Sequence, residues 1–426
     1  MGGNEKRPIG VDLFSGAGGM SLGFEQAGFD VAAAVEYDPI HCATHQFNFP
    51  NCAAICRSVA DIDGRYIRSH SRIGDRPVDV LFGGAPCQGF SMIGKRALDD
   101  PRNGLVQHFV RLVLELKASY FVFENVRGLT IGAQRKFLEE IIGEFRKNGY
   151  NVLEDYRVLN AAHHGVPQNR QRLFLMGARK GFPLPAYPDA THEVNEDAEP
   201  GNLFREATPT VWDALRDLPE AEDYDELLHR DWVKAQFKTP TIYSALLRGH
   251  GNDPNDYSET REFDSTLLTS SLRTIHTELS RKRFLETEPG NTEPVSRFHK
   301  LDPNGVCNTI RAGTASDHGA FTSPRPIHPY SARCITVREA ARLHSYPDWF
   351  RFHVTKWHGF RQIGNSVPPL LARAVASQVC KAFTTPQKPG RSVTQGDTRW
   401  LSFDMSEAAA HYGVPPDVVP KRIRMA

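Results

Sequence analysis

The sequence predicts an α/β fold built on a doubly wound sheet, with a smaller irregular domain inserted into it. Between Ile9 and about Gly177, short apolar runs alternate with longer amphipathic ones, which is the pattern of repeated strand and helix units. Such repetition is typical of a parallel sheet covered by helices on both faces. After Arg179 prolines and charges follow without a clear period until about Thr336. We therefore expect an α/β domain, an irregular insert and a regular C-terminal part.

Six strands and three helices are expected in the first domain. The predicted strands are Ile9–Phe14, Val31–Glu36, Val78–Phe82, Tyr120–Glu124, Asn151–Leu159 and Leu173–Gly177. The predicted helices are Met20–Ala27, Leu105–Lys117 and Arg135–Asn148. The last helix ends at Gly149, because glycine often follows a helix C-terminus.

Two further helices are expected after the insert. Thr336–His344 should be helical because Thr336 and Glu339 have the spacing of a capping box. Val367–Phe383 should form an apolar-faced helix that packs on the first domain. The tail segment 405–415 resembles the first half of a helix-turn-helix, although a docked helix explains it as well. The predicted divisions of the chain are residues 1–180, the insert 181–335, the C-terminal part 336–385 and the tail 386–426.

The composition indicates a soluble, cytoplasmic protein. The chain has 426 residues with 40% hydrophobic content, which is enough for a sizeable core. No stretch approaches the roughly 20 apolar residues that span a bilayer. The seven cysteines are odd in number and scattered, which favours a reducing compartment over a disulfide framework. Cys52 and Cys56 lack a second ligand pair, so no metal site is predicted.

A net charge of +1 neither requires nor excludes a nucleic-acid partner, so any site for a polyanion must be a local patch. Residues 273–311 contain such a patch, and the preceding segment 193–226 is acidic. A solvated charged face is an equally good interpretation. The basic residues of the patch are Arg273, His276, Arg281, Lys282, Arg283, Arg297, His299, Lys300 and Arg311.

A glycine-rich loop follows the first predicted strand. The run Ser15-Gly16-Ala17-Gly18-Gly19 lets the backbone turn tightly and approach a ligand. Glu36 ends the next strand about 20 residues on, where a carboxylate can accept hydrogen bonds from ribose hydroxyls. Ser21 stands where a dinucleotide fingerprint has its third glycine, which favours S-adenosylmethionine over NAD. A simple tight turn is the alternative.

A cysteine lies at the carboxyl end of the third predicted strand. Cys87 follows Pro86 in a glycine-flanked loop, where open α/β sheets bind their ligands. Buried cysteines are usually inert. The flanking glycine, proline and glutamine residues argue against burial and favour a nucleophile.

Charged residues follow the next predicted strands. Glu124 ends the fourth strand, and a carboxyl group in an apolar pocket can hydrogen-bond a ring nitrogen. A surface glutamate is the alternative. Arg170 and Arg172 alternate with other residues and are expected on one face, where two guanidinium groups suit a phosphate or a carbonyl oxygen.

Together these motifs resemble the DNA cytosine-5 methyltransferase family in order, spacing and residues. The motifs are Asp12-Leu13-Phe14-Ser15-Gly16-x-Gly18-Gly19, Glu36, Pro86-Cys87-Gln88, Glu124-Asn125-Val126, Gln168-x-Arg170-x-Arg172, Thr336-Val337-Arg338-Glu339-Ala340-Ala341-Arg342-Leu343 and Gln362-Ile363-Gly364-Asn365-Ser366-Val367-Pro368. They cover nearly everything except the insert and the tail. Ala85 is a departure, since the family more often has a second proline there. The resemblance implies the Rossmann-like sheet of adenosylmethionine-dependent methyltransferases, with the insert as target-recognition domain.

The resemblance also implies a base-flipping mechanism. Cys87 would attack carbon 6 of a cytosine as a thiolate, while Glu124 would protonate or hydrogen-bond N3. Arg172, with Arg170 behind it, would hold the cytosine O2 or a neighbouring phosphate. Carbon 5 would then take the methyl group from S-adenosylmethionine, and loss of its proton would release Cys87.

Binding residues follow from the same resemblance. The implied cofactor residues are Phe14, Gly16, Gly18, Gly19, Glu36, Tyr37, Asp61, Pro86, Asn365 and Ser366. Tyr37 would lie against the adenine and Asp61 near its amino group. The implied DNA contacts are Gln88 and Ser91 on a closing loop, and Arg281, Lys282 and Arg283 in the insert. The expected partners are double-stranded DNA and, functionally, a restriction endonuclease, and the expected oligomeric state is a monomer.

Three alternatives to this function differ in class. An RNA cytosine-5 methyltransferase would use the same chemistry, although the Gln88 to Ser91 run and the long insert favour DNA. An NAD-dependent oxidoreductase would leave Cys87, Glu124 and the two arginines without a joint role. A catalytically silent DNA-binding protein would not require Cys87.

Overall fold

The computed structural model describes residues 7–86, 104–194, 205–251, 253–313, 325–383 and 390–419. The first nine strands are β1 (Ile9–Leu13), β2 (Asp30–Glu36), β3 (Ala53–Cys56), β4 (Val80–Gly83), β5 (Tyr120–Val126), β6 (Tyr150–Val152), β7 (Arg157–Asn160), β8 (Gln168–Asn169) and β9 (Gln171–Arg179). All of these except β8 form one sheet, in the order β3-β2-β1-β4-β5-β9-β6, and β7 also pairs with β9.

Helices cover both faces of this sheet. The helices of the first part are α1 (Gly19–Gln26), α2 (Pro39–Asn48), α3 (Gly64–Ser69), α4 (Gly104–Leu116) and α5 (Ala133–Lys147). One core lies between the sheet and α4 and α5, and it includes Phe109, Phe121 and Phe145. The other core lies on the opposite face and continues into the insert and the C-terminal part. The α/β class predicted from the sequence is therefore confirmed.

The predicted sheet was parallel, whereas the observed sheet is mixed. Strands β1 to β5 are parallel, but β9 runs antiparallel to β5, β6 and β7. Helix α5 leads from β5 to β6, and no further α-helix lies between β7 and β9. Strands that are joined without a crossover helix usually pair in antiparallel fashion, so β9 runs opposite to β6 and β7 and hence to β5. The predicted strand Asn151–Leu159 was also wrong, because it is interrupted and forms β6 and β7 along the same edge of β9.

The remaining elements belong to the insert, the C-terminal part and the tail. The helices are α6 (Val211–Leu215), α7 (Ile242–Leu247), α8 (Glu278–Glu286), α9 (Val337–Leu343), α10 (Lys356–Asn365), α11 (Pro369–Lys381) and α12 (Met405–Tyr412). The strands are β10 (His192–Glu193), β11 (Glu206–Ala207), β12 (Val233–Lys234), β13 (Thr260–Glu262), β14 (Leu267–Leu268), β15 (Cys307–Asn308) and β16 (Ser392–Thr394). These short strands form two-stranded pairs, which agrees with the irregular pattern of the sequence.

The two predicted C-terminal helices are present as α9 and α11. The capping box of α9 is confirmed, because Thr336 accepts from the Glu339 amide and the Glu339 carboxylate accepts from the Thr336 amide at 2.7 Å. Helix α11 packs closely on α1. A β-carbon added to Gly23 of α1 would lie 2.4 Å from the Ala372 β-carbon, so only glycine permits this approach.

The tail docks on the first part of the chain. Strand β16 pairs with β13 of the insert, and α12 packs against α2. The Tyr412 hydroxyl donates to Gln46 Oε1 at 2.6 Å. Of the two interpretations of this segment, the docked helix is the one observed. Across the described ranges, no helix combines the length and the apolar character needed to cross a membrane.

Candidate active site

The glycine loop after β1 has a strained backbone. Phe14, Gly16 and Gly18 have positive φ angles of 61°, 55° and 105°. A β-carbon on Gly18 would lie 2.3 Å from the Phe49 ring, so the loop cannot carry a larger residue there. Strain at a non-glycine residue such as Phe14 costs on the order of 1–3 kcal/mol and is typical of functional sites.

Glu36 holds this loop from the end of β2. Its Oε2 accepts from the Gly16 amide at 2.9 Å, and its Oε1 accepts from the amides of Tyr37 at 2.9 Å and Asp38 at 3.0 Å. The carboxylate is thereby fixed, and Oε2, which accepts one bond, retains a lone pair for a ligand hydroxyl. Tyr37 is 39% exposed beside it. Asp61 is exposed on the loop that follows the adjacent strand β3.

The end of α10 comes next to the same loop. A β-carbon on Gly19 would lie 2.5 Å from the Val367 carbonyl oxygen and 2.9 Å from the Ser366 β-carbon. The Ser366 hydroxyl donates to the Ile363 carbonyl at 2.8 Å, and Asn365 is exposed. The structure thus brings together the glycine loop and the Asn365–Ser366 pair, which are far apart in the sequence.

The loop predicted to hold the nucleophile is described only up to Pro86. Cys87, Gln88 and Ser91 lie outside the described residues. The residues that lead to them are bound to the end of β5, since Asn125 Nδ2 donates to the Ala85 carbonyl at 3.0 Å. A β-carbon on Gly84 would lie 2.3 Å from Glu124 Oε2. The Glu124 carboxylate therefore lies against the backbone three positions before Cys87.

Glu124 forms an ion pair with Arg172. Arg172 Nε lies 2.9 Å from Glu124 Oε1, and the two side chains are 14% and 11% exposed. Burial raises the pKa of Glu124, although the charges of Arg172 and Arg170 oppose this rise. A carboxyl group with a raised pKa can keep a proton and donate it, which a fully solvated glutamate does less readily at neutral pH.

Arg170 has a different environment from Arg172. It is fully buried, and its guanidinium donates to the carbonyl oxygens of Ile310 at 2.9 Å, Gly364 at 2.8 Å and Ser366 at 2.7 Å. The sequence predicted that both arginines share one face and hold a ligand. In the structure only Arg172 pairs with Glu124, while Arg170 connects β9 to the end of α10.

A buried polar cluster beneath the glycine loop was missed by the sequence analysis. The Ser21 hydroxyl donates to Asp12 Oδ2 at 2.6 Å and lies 3.0 Å from His45 Nε2. Burial raises the pKa of Asp12 to about 8 and lowers the pKa of His45 to about 3. The serine noted as a missing glycine was the signal, because its hydroxyl joins α1 to β1 and α2.

The three insert residues predicted to contact DNA have intramolecular partners. Arg281 pairs with Glu222, with a contact of 3.1 Å from Nη2 to Oε2. Lys282 lies 3.8 Å from Glu286 Oε1, and Arg283 lies 3.7 Å from Glu293 Oε1. These three pairs involve three of the nine basic residues of the predicted patch.

Arg297 of the same patch is exposed at a tight turn. Its backbone has a positive φ of 59°, and its amide donates to the Glu293 carbonyl at 2.8 Å. The buried Glu293 carboxylate holds the turn by accepting from the amides of Val295 and Ser296. Among the residues that the structure describes, no partner holds the Arg297 guanidinium.

Comparison with known families agrees with this arrangement. The model of the C-5 cytosine-specific DNA methylase family matches residues 10–381. The chain belongs to this family. It is therefore a DNA (cytosine-5-)-methyltransferase, as the motifs suggested.

Relatives of this methyltransferase cover almost its whole length. The Type II methyltransferase M.XorII of Xanthomonas oryzae pv. oryzae is 61% identical over 419 residues, which is 98% of this chain and 95% of that relative. The Type II methyltransferase M1.HphI of Haemophilus parahaemolyticus is 35% identical over 378 residues, which is 88% of this chain and 87% of that relative.

Solved structures have the same fold as this methyltransferase. One is assigned as a DNA modification methyltransferase encoded within a prophage of E. coli. It has a TM-score of 0.69 and 33% identity, and the match covers 89% of this chain and all of that one. The Dnmt2 methyltransferase of S. pombe has a TM-score of 0.51 and 18% identity over 89% of this chain and all of that one, a likeness that concerns the fold alone.

Proposed function

We propose that this enzyme methylates carbon 5 of a specific cytosine in double-stranded DNA, through a covalent bond between Cys87 and carbon 6. The observation that carries the proposal is the position of Glu124. Its carboxylate is held by Arg172 on one side and touches the Gly84 backbone, which leads to Cys87, on the other. An acid, its arginine and the start of the nucleophile loop therefore converge on the carboxyl edge of β4 and β5.

The glycine loop and its neighbours fit S-adenosylmethionine, which would supply the methyl group. Glu36 has a fixed carboxylate for the ribose hydroxyls, and Tyr37 offers an exposed ring for the adenine. Phe14, Gly16, Gly18 and Gly19 would surround the cofactor from β1 and α1. The further proposed contacts are Asp61, Pro86, Asn365 and Ser366.

In the proposed chemistry, the Cys87 thiolate forms a bond to carbon 6 of a cytosine that has left the base stack. The electron pair of the C5–C6 double bond shifts to form a C4–C5 double bond, and Glu124 donates a proton to N3, which accepts the electrons displaced from its bond to carbon 4. Carbon 5 thereby becomes nucleophilic. Arg172 orients Glu124 and stabilises charge that develops at O2. After carbon 5 has been methylated, a water molecule takes its proton, and the electron pair of that C–H bond re-forms the C5–C6 double bond. Cys87 then leaves carbon 6 as a thiolate, and N3 returns its proton to Glu124.

Arg170 acts in this proposal as a positioning residue. Its three carbonyl partners include Gly364 and Ser366, at the end of the helix that lies beside the glycine loop. It also lies close enough to Glu124 to lower the pKa of that carboxyl group. Arg170 therefore connects the acid of the cytosine site with the cofactor site.

Target recognition is assigned to the insert, with Gln88 and Ser91 contributing from the loop after Cys87. Arg281, Lys282 and Arg283 stay candidates for contacts to the DNA backbone, but a contact to DNA would compete with their acidic partners. Arg297 has no such competitor among the described residues. A turn that is held by the Glu293 carboxylate and presents one exposed guanidinium suits bidentate reading of guanine.

The biological role is inferred from the relatives. M.XorII and M1.HphI are named Type II methyltransferases. We infer that this enzyme protects cytoplasmic DNA from a partner restriction endonuclease, and that it acts as a monomer.

A mechanism-based trap tests the covalent step. A DNA duplex with 5-fluorocytosine at the target should form an adduct with the intact enzyme in the presence of S-adenosylmethionine, because fluorine cannot leave as a proton does. The adduct should survive denaturation and be absent with Cys87→Ala. Bisulfite sequencing of plasmid DNA from expressing cells would give the target sequence. If Cys87→Ala still methylates DNA, the nucleophile assignment is wrong.

A further inference from the structure

An ion pair between Arg361 and Asp38 joins α10 to the start of α2. Arg361 Nη1 donates to Asp38 Oδ2 at 2.9 Å, and Asp38 is fully buried. The other oxygen, Oδ1, caps α2 by accepting from the amides of Ile40 at 3.0 Å and His41 at 3.4 Å. Arg361 therefore holds the residue on which α2 begins.

Asp38 belongs to the same short segment as two proposed cofactor contacts. The amides of Tyr37 and Asp38 both donate to the Glu36 carboxylate, so the position of Asp38 affects the orientation of that carboxylate. A second bond fixes the same two helices, since Gln362 Nε2 donates to Thr44 Oγ1 at 2.9 Å. The segment from Glu36 to Asp38 is therefore anchored from α10.

Arg361 also lies beside two exposed aromatic rings. The carbon of its guanidinium is 5.3 Å from the centroid of the Trp357 ring, which is within cation–π range. Arg361 is near enough to the Tyr37 phenol to oppose the rise in the pKa of Tyr37 that burial causes. Tyr37 and Trp357 are 39% and 38% exposed. A guanidinium with two rings around it forms a surface suited to a planar heterocycle.

We propose that Arg361 is a positioning residue for the adenine end of S-adenosylmethionine. This inference rests on the proposed function, in which Glu36 holds the ribose and Tyr37 contacts the adenine. By fixing Asp38 and lying beside Tyr37, Arg361 orders the site before the cofactor binds, so binding does not have to supply that ordering. In the described part of the chain, no hydrogen bond joins Arg361 to Glu124 or Arg172, so its role is separate from the chemical step.

The test measures cofactor affinity and turnover separately. Arg361→Ala should raise the Kd of both S-adenosylmethionine and S-adenosylhomocysteine by roughly five- to tenfold, because both contain adenine and lose the same contacts. The kcat at saturating cofactor should change by less than about twofold, since the lost interaction serves binding rather than the transition state. Arg361→Lys should recover part of the affinity, because lysine keeps the charge for Asp38 but not the planar group.

Arg373→Ala is the matched control. Arg373 lies on α11 and pairs with Asp253 at 2.5 Å, and its side chain is 20% exposed against 22% for Arg361. This variant should bind both ligands as the wild type does. If Arg361→Ala binds both ligands normally, or loses only thermal stability as Arg373→Ala would, the inference is overturned while the proposed function stands. If the wild type binds neither ligand, the proposed function itself fails.

Discussion

Arg172 Nε and Glu124 Oε1 are 2.9 Å apart at the point where β9 pairs with β5 in antiparallel fashion. The register pairs Glu124 with Phe174 and Arg172 with Val126, so the two charged side chains are diagonal neighbours on one face of the strand pair. Replacing Glu124 with Gln should keep the fold and lower kcat by roughly a hundredfold or more, the range for loss of a general acid. Methyl transfer to a DNA duplex with radioactive cofactor would measure this. Glu154→Gln, in an exposed pair with Arg146, is the control. Wild-type turnover by Glu124→Gln would contradict the role.

The dependence of the methylation rate on pH should show the effect of the ion pair between Glu124 and Arg172. The proposed mechanism needs protonated Glu124, so the rate should fall as pH rises through its raised pKa, while the demand for a Cys87 thiolate limits the rate at low pH. Because Arg172 lowers the pKa of Glu124, Arg172→Ala should raise that pKa further. The alkaline limb of the profile should then move to higher pH, in addition to the loss of rate. An alkaline limb that moves to lower pH would contradict this assignment.

Arg170 and Arg172 should differ in their effect on stability. Arg170→Ala removes the donor to three carbonyl oxygens, of which, within the residues described, only Ser366 O lies near a second group, His344 Nε2 at 3.2 Å. Each acceptor left unsatisfied in the interior costs about 1–3 kcal/mol, so we expect a loss of at least about 2 kcal/mol in the free energy of unfolding. Arg172→Ala should cost less, because Glu124, whose pKa burial already raises, can take up a proton when its ion-pair partner is removed. Urea unfolding of both variants would show the difference. Similar losses for the two would argue against a positioning role for Arg170.

Arg297 should affect sequence specificity. Arg297→Ala should reduce discrimination at one guanine of the target by roughly tenfold or more. Bisulfite sequencing of plasmid DNA would detect this as methylation at sites that differ at one position. Arg281→Ala, whose guanidinium is held by Glu222, should keep the target sequence. Identical motifs for wild type and Arg297→Ala would remove this turn from the recognition surface.

Asp12 should make stability depend on pH. The pKa of Asp12 is about 8 in the folded state, against 3.8 for an ordinary aspartate, because of burial. Between these values the folded state keeps a proton that the unfolded state has released, so stability falls as pH rises. In Asp12→Asn the side chain does not titrate, and its amide oxygen can still accept a hydrogen bond from the Ser21 hydroxyl. Its Tm relative to the wild type should therefore increase from about pH 5 to about pH 8. A constant difference would contradict the buried, protonated state.

The sequence predicted best those residues that follow directly from strand ends. Glu36 and Glu124 end apolar runs, so their place at the ligand edge follows from parallel pairing alone. The proximity of Gly19 and Ser366 depends on how α10 and α11 return to the sheet, which no local pattern encodes. Likewise, the pairing of Arg281 with Glu222 depends on the packing of the insert, so the basic patch and the acidic segment 193–226 were both noted without the ion pair between them.

The pairing of β16 with β13 places the tail next to the insert, although the C-terminal part separates these two segments along the chain. The last described segment closes over α2 near the beginning of the chain and also adds a strand to the insert. A protease cut in the insert would therefore not release two independent fragments, because the C-terminal fragment would still contact α2 through α12 and β13 through β16. Removal of residues 390–419 would instead leave the β13 edge without its partner strand, and unpaired strand edges promote association between molecules.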